Sequence, residues 1–81
     1  MIITVRMFAG LTCENKDLTC YGQNEFKIEL AGNMNLVEIL NYLGISHLVA
    51  KIILVNGLFK PLEYIANDQD ELSVFPPVGG G

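Results

Sequence analysis

No apolar run in these 81 residues extends beyond Ile52 to Val55, far short of the roughly 20 residues that a membrane-spanning helix requires. The opening Met1-Ile2-Ile3-Thr4-Val5-Arg6 alternates in character and has no basic start leading into an apolar core, so it does not read as a signal peptide. Both absences point to a cytoplasmic protein without membrane partners. Basic residues are scarce, five Lys and Arg against nine Asp and Glu, for a net charge of −4. With no basic stripe to release counterions, nucleic acid is not the expected partner; a protein with a basic docking surface is. One histidine and two cysteines fall short of the four ligands of a structural zinc site, and the acidic group Asp68-Gln69-Asp70 reads as a solvated turn rather than a calcium loop, so no metal is expected. Cys13 and Cys20 read as free thiols of a reducing compartment, a local disulfide or a redox role being the alternative. His47, between Ser46 and Leu48, reads as a loop residue rather than the base of a nucleophile. There is no GxxxxGK[ST] loop and no GxGxxG fingerprint to hold ATP or a dinucleotide. The carboxylates Glu14, Glu25, Glu29, Glu38 and Glu63 are scattered as surface charge. The chain reads as a protein that binds no cofactor and is not itself an enzyme.

What is present is a mean hydropathy of +0.37 distributed in short periodic segments. Ile3, Val5 and Met7 alternate with Thr4, Arg6 and Phe8, and Phe26, Ile28 and Leu30 alternate with polar neighbours; both are strand patterns with one buried face, able to pair as a wide hairpin. The intervening Ala9 to Asn24 is long for a hairpin loop and is either a short helical excursion or a contact loop. Asn35 with Glu38 forms a capping-box pattern before Leu36, Ile39, Leu40 and Leu43, a single apolar helix face, and Gly44 is placed to end that helix in a left-handed conformation. Ile52-Ile53-Leu54-Val55 reads as a central strand buried on both faces, turning through Asn56-Gly57 into Leu58-Phe59-Lys60. Pro61 stops that short strand, Leu62 to Asn67 is a turn or a single 3₁₀ turn, and Glu71 to Phe75 is the last strand. One helix on one face of a mixed sheet is an α+β architecture, with the ubiquitin-like β-grasp as its expected form. Residues 1–75 make the single domain, and 76–81 a projecting tail.

That tail carries the chemistry. After Phe75, Pro76 and Pro77 favour polyproline II and direct the chain off the sheet. From Pro77 through Val78, Gly79 and Gly80 to Gly81 it reaches at most roughly 17 Å, enough to enter a cleft in another protein. Glycines without Cβ pass a narrow channel in whatever conformation it dictates. The α-carboxylate of Gly81 is ordinarily ionised at neutral pH and can attack an ATP α-phosphate held by a separate adenylating enzyme. A frayed terminus is the alternative reading.

Phe75 to Gly81 spells F-P-P-V-x-G-G with Gly79 at the variable position, and Val55-Asn56-Gly57 and Asp70 to Val74 add weaker matches. In these motifs and in element order the chain resembles the MoaD/ThiS family of sulfur carriers, and the paired prolines favour the branch of the molybdopterin synthase small subunit. The resemblance implies a cycle in which a ubiquitin-activating-type enzyme uses ATP to adenylate Gly81. A sulfur donor enzyme then displaces AMP, and the resulting thiocarboxylate serves a pterin precursor in the large molybdopterin synthase subunit. It also implies that Phe75 contributes to the partner surface, core packing being the alternative. Phe59 is added on its own position. The Ala9 to Asn24 segment departs from the family pattern, which leaves open carriers for thiamine or sulfur amino acids, a ubiquitin-like modifier, and a β-grasp binding module with an incidental tail.

Overall fold

The period-two alternation of the first residues becomes β1 (Ile2–Met7), with Ile3, Val5 and Met7 buried and Thr4 and Arg6 half-buried on the other side. The computed structural model describes residues 1–50 and 52–77. After β1 come β2 (Glu25–Glu29), α1 (Leu36–Tyr42), β3 (Ile52–Val55), β4 (Leu58–Phe59) and β5 (Glu71–Phe75). The strands form one sheet in the order β2-β1-β5-β3-β4. Within it β1 and β5 run parallel, and every other neighbouring pair is antiparallel. This is the ubiquitin-like β-grasp, with the last strand threaded between the first and the third.

The register explains the core. Phe26, Val5, Leu72 and Val55 stand side by side across four strands, and Met7, Val74 and Ile53 form a second row. Leu36, Ile39, Leu40 and Leu43 of the helical segment close over these rows in one cluster. Each such side chain, fully withdrawn from water, contributes about 1.5–3 kcal/mol before conformational entropy is charged against it. The helix is only seven residues long and too short to persist alone. Its first turn is fixed by a reciprocal capping box: Glu38 N–H donates to Asn35 Oδ1 at 2.8 Å, and Asn35 N–H donates to Glu38 Oε1 at 2.9 Å. It ends at Gly44, whose φ of +79° is left-handed.

The structure corrects two expectations. β3 lies inside the sheet, between β5 and β4, but is not buried on both sides: Ile53 and Val55 are buried, whereas Ile52 and Leu54 are only half-buried. Among the described residues the one helix covers one face of the sheet, so alternate residues of an all-apolar strand are left on the open face. The acidic turn before β5 is not uniformly solvated either. Asp70 is 5% exposed and accepts hydrogen bonds from Asn56 Nδ2 (2.9 Å), the Tyr64 hydroxyl (3.0 Å) and the Asn67 N–H (2.8 Å). Asn56 adds a bond from the Glu71 N–H to its Oδ1, which ties the β3–β4 turn to the start of β5. That turn has φ of +52° at Asn56 and +83° at Gly57, as a type I′ hairpin requires. The Ala9 to Asn24 segment is a loop of turns without a helix, and it buries both cysteines as free thiols.

Candidate functional site

The open face of the sheet, beside the point where β5 leaves it, divides into two halves. The first half is charged. Arg6 Nη1 lies 2.8 Å from Glu71 Oε1, and Arg6 Nε 3.8 Å from Glu25 Oε2, on the β5 and β2 sides respectively. The hydrogen bond that Arg6 donates to Glu71 raises the guanidinium above its ordinary value, opposed by partial desolvation. Lys27 stands across from Thr4 in the adjoining row. Exposed pairs of this kind add little stability and mainly organise surface charge.

The second half is apolar. Met7 pairs with Val74, and the Phe8 N–H donates to the Val74 carbonyl at 3.0 Å, which brings Phe8 alongside Phe75. Their rings stack with centroids 4.6 Å apart and planes 7° from parallel. Such a pair is worth about 0.5–1.5 kcal/mol beyond its buried area. Across the sheet Ile52 pairs with Phe75, Leu54 with Ser73, and Phe59 with Leu54. Phe8, Phe75, Ile52, Leu54 and Phe59 therefore form a continuous apolar band from β1 to the β4 edge. Phe59 is 66% exposed, Phe8 40% exposed and Phe75 half-buried.

Of the residues singled out in the sequence, Phe75 and Phe59 lie at the middle and the far end of this band. Pro76 is half-buried and Pro77 exposed. Val78, Gly79, Gly80 and Gly81 lie outside the described residues. Sequence reasoning missed Phe8, Ile52 and Leu54 as members of the surface, although Phe8 occupies the outward phase of the β1 alternation. It also missed the Asp70–Asn56 link, which no local pattern announces because its members are 14 residues apart. His47 is exposed in the loop after the helix. Among the described residues no three metal-ligating side chains gather, and no helix is long and apolar enough to cross a membrane.

Comparison with protein families matches residues 14–81 to the ThiS family. The chain belongs to the ThiS family. This places it in the MoaD/ThiS family of small sulfur carriers. Two solved structures share the ThiS-family chain's fold. SAMP1 from Haloferax volcanii superposes with a TM-score of 0.68 at 21% identity over 100% of both chains. A second structure, small archaeal modifier protein 1 of H. volcanii, gives 0.65 at 18% identity over 95% of this chain and 98% of that one. Comparison with curated protein sequences gives no match.

Proposed function

We propose that this chain is a sulfur carrier whose Gly81 carboxyl group is the reacting centre, serving molybdopterin synthesis for the molybdenum or tungsten cofactor. The observation that carries the reading is the F-P-P-V-x-G-G sequence placed directly after β5. Residues 76–81 act as a tail that a ubiquitin-activating-type enzyme draws into its ATP site. A Gly81 carboxylate oxygen attacks the α-phosphorus, pyrophosphate leaves, and the carboxyl becomes an acyl adenylate. Sulfide (HS⁻) released by a donor enzyme attacks the acyl carbon, the bond from that carbon to the AMP oxygen breaks, AMP departs, and the C-terminus becomes a thiocarboxylate. The thiocarboxylate then passes its sulfur to a pterin precursor bound in the large synthase subunit. The carrier supplies no cofactor of its own and ATP belongs to the activating partner. The Phe8–Phe75–Ile52–Leu54–Phe59 band supports this reading, because an apolar surface beside the tail root suits a partner that must hold the domain while the tail enters a cleft.

Reconstitution tests the pathway. Thiocarboxylated carrier mixed with large synthase subunit and pterin precursor is expected to yield dithiolene product and carboxylate-form carrier in step; no sulfur transfer to the pterin removes this pathway while leaving carriage itself intact. A second reading, a ubiquitin-like modifier joined to lysines through Gly81, is favoured by the modifier proteins among the structural neighbours. Covalent adducts on denaturing gels that vanish on deletion of Gly81 distinguish it.

A further inference from the structure

The two cysteines play no part in the tail chemistry, yet the fold brings them together. Cys13 and Cys20 lie seven residues apart in the β1–β2 loop, and the Cys20 thiol donates to Cys13 Sγ at 2.7 Å. The approach is built by the backbone. Cys13 N–H donates to the Gln23 carbonyl (3.0 Å), Gly22 N–H to the Cys13 carbonyl (2.8 Å), and Gln23 N–H to the Cys20 carbonyl (2.8 Å). A bridge between Cys13 and Tyr21 closes the loop on itself. Both side chains enter the core cluster, Cys13 at 0% exposure and Cys20 at 5%. The same loop is fastened to the helix end, where Glu14 N–H donates to the Leu43 carbonyl at 2.8 Å and Asn15 Nδ2 to the Tyr42 carbonyl at 2.8 Å.

We propose that Cys13 and Cys20 form an oxidation site that takes a small hydroperoxide and closes to an intrachain disulfide. The Cys20 sulfur, at the more accessible position, attacks a peroxide oxygen; the O–O bond breaks, water leaves, and Cys20 carries a sulfenic acid. The Cys13 sulfur then attacks the Cys20 sulfur, the S–O bond breaks, and a second water departs with the Cys13 proton. Each sulfur loses one electron, and the peroxide is reduced by two. Burial, and behind it the hydrogen bond to Cys13, pushes the Cys20 thiol up to about 12, so it stays protonated at neutral pH and reacts slowly. With Cys13 at 0% and Cys20 at 5% exposure, the proposed oxidation is confined to the smallest oxidants, hydrogen peroxide rather than bulky disulfides. The product staples the loop that sits against the helix end and restricts the unfolded chain.

The test uses the full-length reduced protein and hydrogen peroxide as probe, followed by denaturation, alkylation with iodoacetamide and intact mass. The expected result is a monomer that has lost two hydrogens, carries no alkyl group, returns to two alkylatable thiols after dithiol reduction, and melts about 10 °C higher than the reduced form. Cys13→Ala and Cys20→Ala, each treated alike, are expected to show neither the two-hydrogen loss nor the rise in melting temperature. Two alkylated cysteines after peroxide, disulfide-linked dimers, or sulfinic acid in place of the two-hydrogen loss would overturn the proposal. Those three overturning outcomes are read on the wild-type chain, so they stand even if a variant fails to fold.

Discussion

Truncating Phe59 to alanine separates docking from folding. The residue is 66% exposed on the edge strand β4, opposite Leu54 in the register. A phenylalanine side chain presents about 200 Å², so about 130 Å² of this one stays in water in the free protein. Covering that area is worth about 3 kcal/mol at about 25 cal/mol per Å². Alanine retains part of it, and association consumes some of the rest, leaving about 2 kcal/mol, roughly 30-fold in affinity. The cost to folding is far smaller, under about 1 kcal/mol, as for exposed positions generally. The assay is ATP–pyrophosphate exchange by the activating enzyme as a function of carrier concentration, beside urea unfolding of the carrier alone. The expected pattern is a KM raised by about an order of magnitude or more with kcat kept, because the tail that reacts is untouched. A KM within twofold of the native value, or a loss confined to kcat, would refute the assignment of the apolar band to docking.

Other outcomes follow from the fold. Asp70→Ala leaves Asn56, Tyr64 and Asn67 without their shared acceptor and is expected to cost about 3 kcal/mol in urea unfolding; a loss under 1 kcal/mol would show that water replaces the carboxylate. At Gly44 an added Cβ meets Glu14 backbone carbon at 2.9 Å on a φ of +79°, so Gly44→Ala is expected to cost at least about 2 kcal/mol. Gly57→Ala, left-handed but with open space around it, is expected to cost about 1 kcal/mol, and equal effects would remove the packing argument. The Asp68 carboxyl is held below its ordinary 3.8, first by the hydrogen bond it accepts from the Ile2 N–H. A depressed folded value gives stability that is complete above the unfolded value and lost as pH falls through the folded one. The stability gap between wild type and Asp68→Ala is therefore expected to be constant above about pH 5 and to narrow below about pH 4. A gap that widens on acidification would contradict the sign.

The local part of the architecture was legible in the sequence because each signal depends on nearby residues. Alternation marked β1 and β2, Asn35 with Glu38 marked the helix start, Gly44 its end, and Asn56-Gly57 the tight hairpin. Apolar periodicity also named the helix face that meets the sheet. What escaped depends on contacts distant in sequence. Ile52 and Leu54 look as buried as Ile53 and Val55, and only the one-sided cover by the helix leaves them facing outward. Asp70 resembles Asp68 in composition, yet Asn56, 14 residues away, turns it into a buried acceptor. Phe8 became part of the candidate surface only once the parallel pairing of β1 with β5 set it on Phe75. Cys13 and Cys20 were visible as a pair, but their contact depends on the backbone bonds that close the loop.

Conversion of Gly81 to a thiocarboxylate is read by intact mass and C-terminal peptide mapping of the carrier after incubation with its activating enzyme, ATP and a sulfur donor. The expected result is replacement of one oxygen by sulfur, located on Gly81, dependent on ATP and absent when Gly80 and Gly81 are deleted. A carrier that leaves this reaction with its mass unchanged, while the same enzyme preparation thiocarboxylates a control carrier, would contradict it.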